Sequence, residues 1–272
     1  ISQCPGCKLS IFLIILCNFS EDMDERTRNR LIEWAGTYND RKYFAEDPIA
    51  FPRRFAEDYA SGRCTLADVE IAAVIAAHLA WGRRAMIVRD CGRAFDEMGW
   101  RPYDYVMNGE YRNDDASLHR TVKWSEFAGI CSRLRKAYEE KCARSETCAG
   151  AEMPEICAKA ASPSLEGLSD TDFRVMIYGQ KPDAKAPNKK ISMMRRWLVR
   201  DDGKVDLGVW RHTDKKSLVI PLDVHVYDEA TALGLTARKS KDIVTAREIT
   251  DSFREIFPDD PCLGDFALFG YG

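Results

Sequence analysis

Strand signals are almost missing from this chain, and so are the short signatures of several large enzyme classes. Its 272 residues contain no glycine-rich phosphate loop, no Gly-x-Ser-x-Gly elbow and no His-Glu-x-x-His pattern, so three common chemistries have no motif to rest on. Histidine is scarce, with four in all, which leaves little for a histidine-based metal centre. No internal repeat stands out. Long apolar runs are lacking too: Leu9 to Cys17, LSIFLIILC, is nine residues, too short to cross a bilayer as a helix. It looks more like the apolar part of a signal peptide, but one lysine precedes it and no small-x-small cleavage pattern follows. The next stretch, Ser20-Glu-Asp-Met23-Asp-Glu-Arg, reads as a helix start. The expectation is therefore that Met23 is the natural initiator and that residues 1–22 are over-extended translation.

What is present is an ordinary soluble composition, 45% hydrophobic and 31% charged, with a net charge of −3. That balance gives no global case for a polyanion partner, but the charge is uneven. From Lys181 to Lys241, 14 Lys and Arg stand against 8 Asp and Glu. A basic segment on an acidic body suits a polyanion-binding face, or else a solvated surface. The ten cysteines are scattered, and several sit inside helical patterns as small apolar residues, which suggests reduced thiols and an intracellular protein. Cys4-x-x-Cys7 is half a zinc site without a partner pair, and Cys142, Cys148 and Cys157 lack cluster spacing. No metal and no cofactor is expected.

Helical patterns run through the chain. Asp24 to Tyr38 comes first, followed by a connection, FAEDPIAFPRRF, in which Pro48 and Pro52 are expected to prevent regular helix. Thr65-Leu-Ala-Asp68 has the form of a capping box before an almost wholly apolar run, which predicts a central buried helix ending near Trp81-Gly82. Further helices are expected at 83–99, 102–107, 124–141, 171–178, 189–199, 223–233, 242–257 and 262–269. Val205 to Trp210 and Ser217 to Ile220 could be short extended pieces. The composition shift between Cys142 and Asp170 marks a crossing or insertion. The fold expected is all-α: residues 23–272 as one two-lobed helical unit, the lobes meeting near 142–170.

Chemistry must then come from polar residues in apolar settings. His78, inside the most apolar helix, reads as a core histidine bonded to backbone. Trp81, where that helix breaks, is either a stacking platform for a base or a packing aromatic. His119-Arg-Thr121 reads as a cap and surface pair. Lys189 and Lys190 open a helix whose apolar face is Ile191, Met194, Trp197 and Leu198, so one of them lies near the inward side of the first turn. A helix N-terminus disfavours the charged amine, as a nucleophile requires; the alternative is that both lysines decorate the surface. Asp223, in PLDVHV, is flanked by apolar residues. It suits an N-cap, and the same carboxylate could stabilise a developing cation.

Seven separated stretches, NDRKYFAEDPIAFPRRF, DVEIAAVIAAHLAWGRR, HRT, NKKISMMRRWLVR, VDLGVW, PLDVHV and DFALFGYG, resemble in order the bacterial domain-of-unknown-function 2400 family, from about Tyr38 to the end. More distantly, a lysine opening a helix, a Pro-x-Asp-x-His turn and a late Asp-x-x-x-aromatic look like the helix-hairpin-helix DNA glycosylases, especially the archaeal 8-oxoguanine type. The Leu-Pro-Gly-x-Gly-like hairpin and the four-cysteine cluster found among those enzymes are missing. That similarity implies Lys189 as the nucleophile on the sugar, with Lys190 its competitor, and Asp223 as electrostatic and proton-transfer partner. Asp265 and Phe269 would belong to the base pocket, Trp81 would stack, and His225 would contact nucleic acid. It implies a base-excision enzyme of DNA repair: a cytoplasmic monomer acting on damaged duplex, with no membrane partner. Two alternatives stay open, a non-catalytic nucleic-acid-binding protein on the same scaffold and a binder of small nucleobase-like ligands.

Overall fold

A computed structural model describes residues 23–144 and 163–272. The fold is all-α, with one two-stranded hairpin among the described residues. Residues 1–22, including Cys4-x-x-Cys7, and residues 145–162, the larger part of the expected crossing, lie outside the described residues.

Helix α1 (Glu25–Tyr38) starts at Asp24, whose carboxylate accepts from the Thr27 N–H at 2.9 Å. Helix α2 (Ala50–Ala60) runs through Pro52, against expectation. Pro52 is the third residue of that helix, where a backbone N–H would have no intrahelical acceptor and its loss costs little. Helix α3 (Leu66–Leu79) is central. Every residue from Ala67 to Leu79 is buried, as expected of a segment apolar on all faces, and the Thr65/Asp68 capping box closes its first turn. Glu70, the fully buried carboxylate of this helix, is met by four groups. The Trp210 indole donates at 2.7 Å, the Leu165 N–H at 3.0 Å, the Tyr138 hydroxyl at 2.9 Å and the Ser164 hydroxyl at 2.5 Å. Burial pushes the Glu70 carboxyl up and these donors oppose it. The cluster pins distant segments of chain to α3.

Around α3 stand α4 (Arg84–Glu97), α5 (Pro102–Asn108) and the long α6 (Trp124–Arg144). Before α6 the chain makes the hairpin β1 (Ser117–His119) and β2 (Val122–Lys123), a feature with no strand-like pattern in the sequence. The stretches expected to be extended contain no strand, and Ser217 closes a 3₁₀ turn, Lys215–Ser217. His119 is also corrected. It is fully buried rather than a surface cap, with Nδ1 2.8 Å from Asp90 Oδ2 and Nε2 2.9 Å from the Trp81 carbonyl. Helix α7 (Asp170–Asp172) continues as a π-helical turn, Phe173–Ile177. Helices α8 (Lys189–Val199), α9 (Val224–Ala232), α10 (Ile243–Ile256) and α11 (Leu263–Tyr271) complete the fold. Helix α8 packs on α3, and α11 on α1 and α10, so the two ends of the described chain are sewn together. Buried side chains from Leu31 to Leu268 form one contiguous core.

Candidate functional site

Burial of Ile191, Met194, Trp197 and Leu198 fixes the roll of α8 about its axis. Asn188 precedes α8 in the left-handed region (φ 50°) and does not cap it; its side-chain oxygen accepts from the Arg174 guanidinium at 3.2 Å. That roll sets Lys189 against the start of α9. There Asp223 divides its oxygens. Oδ1 accepts from the Val226 N–H at 2.9 Å and caps the helix, and Oδ2 lies 3.0 Å from Lys189 Nζ. Burial alone would push the Asp223 carboxyl up, but the Val226 N–H and the Lys189 ammonium outweigh it and hold the group below the ordinary aspartate range. Both side chains keep access to solvent, at 36% for Lys189 and 29% for Asp223.

The pair lines a cleft of about 430 Å³. Asp265, Phe269 and His225 line it too, so Asp223 and these three meet at Lys189. Asp265 is buried and bonded to the Arg196 guanidinium; its carboxyl is pushed up by burial, with Arg196 opposing and Asp223 reinforcing the rise. Phe269 is exposed on the cleft side of an aromatic group, 5.2 Å between ring centres from Phe44 and 5.9 Å from Tyr38. His225 is exposed on the first turn of α9.

Trp81 is not brought to this cleft. It lies edge-on to His119 at 5.4 Å with the Arg120 guanidinium 4.4 Å from its ring, and it lines a second cleft, which also includes His78 and Lys190. Lys189 borders both. The amine held low is that of Lys190: burial brings it down to about 8, with Glu126 opposing and Arg174 and Arg133 adding to the fall. His78 is a buried histidine, as expected, but its partners are side chains rather than backbone.

Residues that the sequence reading passed over also line the first cleft, among them Phe44, Asp47, Arg84, Met193 and Arg196. Lys189, Met193, Arg196 and Trp197 follow the spacing of one helical face, a signal present in the sequence. Asp47 had no such signal; burial pushes its carboxyl up while the Ile49 N–H, 3.1 Å away, opposes this. Arg196 is anchored from behind by Asp206 at 3.3 Å, and Asp206 also pairs with the fully buried Arg200. Among the described residues no group of three or more His, Cys, Asp or Glu is placed to hold a metal ion, and no helix is long and apolar enough to cross a membrane.

Neither a curated protein nor a solved structure matches this chain. The family model described as "Protein of unknown function (DUF2400)" matches residues 47–272, starting at Asp47 rather than near Tyr38, and on that match the chain belongs to this family.

Proposed function

We propose that this protein excises bases from DNA by lysine chemistry, after the manner of the helix-hairpin-helix glycosylases that its motifs resemble. The observation that carries the reading is the 3.0 Å approach of Lys189 Nζ to Asp223 Oδ2 in a cleft that also holds Asp265 and Phe269. The cleft's volume of about 430 Å³ suits a small planar ligand. Phe44 and Phe269 offer ring surfaces, and the Asp265–Arg196 pair offers a polar edge.

In the resting state Lys189 Nζ is ion-paired with the Asp223 carboxylate at 3.0 Å. We read this lysine as the proton source for the departing base: the proton passes to a base nitrogen as the bond to C1′ breaks, and the bared amine then bonds to C1′. Opening of the sugar ring, with the second amine proton going to the ring oxygen, leaves an imine. Asp223 is poorly suited to keep a proton, because its cap and its lysine both favour the carboxylate. Its role is to hold a fixed negative charge beside the positive charge that develops at C1′. Extrusion of the base has to precede this step.

Borohydride reduction in the presence of duplex DNA carrying an abasic or oxidised site tests the reading. The expected result is a covalent protein–DNA adduct that disappears in Lys189→Gln. Retained DNA binding without any adduct would leave the protein as a non-catalytic binder.

A further inference from the structure

Lys190 takes no part in that chemistry. Successive residues on a helix point about 100° apart, and Lys190 enters the second cleft, which is also about 430 Å³. There its Nζ lies 3.1 Å from His78 Nδ1 and 3.9 Å from the centre of the Tyr178 ring. Because Nδ1 accepts that hydrogen bond, the ring carries its proton on Nε2, and Nε2 stands 3.3 Å from Glu126 Oε1. His78 stacks on Tyr178 at 5.4 Å with the rings 15° from parallel, which limits its freedom to turn.

Carboxylate, imidazole and amine thus stand in the order of an activated nucleophile: the base faces the amine, the Glu126 carboxylate lies 3.3 Å from its far nitrogen, and the stacked Tyr178 ring holds its plane. The three groups come from α6, α3 and α8, so tertiary packing rather than local sequence assembles them. The face of the Tyr178 ring gives the amine a cation–π partner, which offsets only part of the cost of its burial. The charged groups facing it are Glu126 and Arg133 from α6 and Arg174 from the π-helical turn, two cations against one carboxylate. A methionine would fill the space without burying charge. A perturbed ionisable group set in a cleft beside a specific charge partner is a candidate functional site.

We propose that Lys190 is a second reactive amine, one that forms an imine with an aldehyde or ketone bearing an anionic group in the cleft beside Trp81 and Arg174. His78 Nδ1 takes a proton from the Lys190 ammonium, and Nζ bonds to the carbonyl carbon. The carbonyl electron pair moves to oxygen, which recovers the proton from the imidazolium. Loss of one of the two N–H protons that remain, together with the hydroxyl, releases one water and leaves a protonated C=N bond. No oxidant or reductant is needed. Tyr178 holds the plane of the ring through the step, and Glu126 keeps a negative charge 3.3 Å from Nε2. Burial, which holds the amine down to about 8, supplies free amine near neutral pH. Lys189 and Asp223 do not enter, so the proposal goes beyond the glycosylase reading and is decided separately from it.

The test is reductive labelling with pyridoxal phosphate and borohydride in the absence of DNA, resolved lysine by lysine by peptide mass spectrometry, with exposed Lys239 as internal reference. At pH 7 Lys190 is expected to label about tenfold faster than Lys239, since His78 stands 3.1 Å from its Nζ to take the proton that bond formation displaces. That advantage should persist in Lys189→Gln and vanish in His78→Leu. Labelling of Lys190 no faster than Lys239 in the unaltered protein would overturn the proposal. So would an advantage that survives His78→Leu in protein with an unchanged helical spectrum.

Discussion

Asp223 divides its carboxylate between a backbone N–H and an ammonium, and the two halves can be separated by substitution. Asparagine caps a helix about as well as aspartate, so Asp223→Asn should leave thermal stability nearly unchanged while base-excision activity falls by about 10² or more. Asp223→Ala should lose the activity and in addition about 1 kcal/mol of stability. Parallel melting and activity measurements on the two variants check this; equal stability losses would mean that the cap contributes nothing. Lys190 leads to a linkage argument. Its amine is held at about 8 in the fold against 10.5 ordinarily, so between those values the unfolded chain binds more protons at this position than the folded one. Stability contributed by Lys190 must then rise with pH across that window. Urea unfolding at pH 7.5 and pH 10 should show the unaltered protein gaining on Lys190→Met at the higher pH, and a constant difference would contradict the buried-amine account.

At the scale of elements, α11 closes the first cleft, and close approach sets its position. A Cβ on Gly264 would collide with the buried Phe253 ring of α10. Gly264→Ala should therefore destabilise by about 1–3 kcal/mol, and Phe253→Leu in the same chain should recover part of the loss, as a double-mutant cycle in denaturant would measure. The elements also show how far the sequence could be read. Helix α8 and the caps at Thr65 and Asp223 were legible, because their signals are local: apolar spacing plus an oxygen-bearing side chain at the first turn. Helix α2 was missed because proline was taken as a breaker without regard to its place in the first turn. The β1–β2 hairpin was missed because it is three residues against two, too short for an alternating pattern. His119 was misplaced since its partners, Asp90 and the Trp81 carbonyl, lie 29 and 38 positions away, and nothing local announces them. Lys189 and Asp223 could be singled out by residue type and setting, and Asp265 and Phe269 only through the glycosylase likeness, while Asp47 and Arg84 reach the same cleft only through packing.

For the whole molecule, the basic segment Lys181 to Lys241 looks less available than its composition implies. Its five arginines are spent on internal ion pairs: Arg195 with Asp170, Arg196 with Asp206 and Asp265, Arg200 with Asp202 and Asp260, Arg211 with Asp201, Arg238 with Asp242. Lys189, Lys216 and Lys241 are likewise paired. Lys181, Lys185, Lys204, Lys215 and Lys239 reach the surface without a carboxylate within ion-pair distance among the described residues. If this face meets DNA, about five phosphates are the most it can neutralise, and log affinity should fall with log salt at a slope of about −4 to −5. Titration of a fluorescent duplex across salt concentrations measures the slope, and a value near zero would remove DNA as the partner.

The account rests on Lys189 as the amine that meets the sugar. Borohydride trapping on abasic duplex DNA, run side by side on the unaltered protein, Lys189→Gln and Lys190→Gln, tests this most directly. The expected result is an adduct with the unaltered protein and with Lys190→Gln, and none with Lys189→Gln. An adduct of equal yield with Lys189→Gln, or no adduct with any of the three, would contradict it.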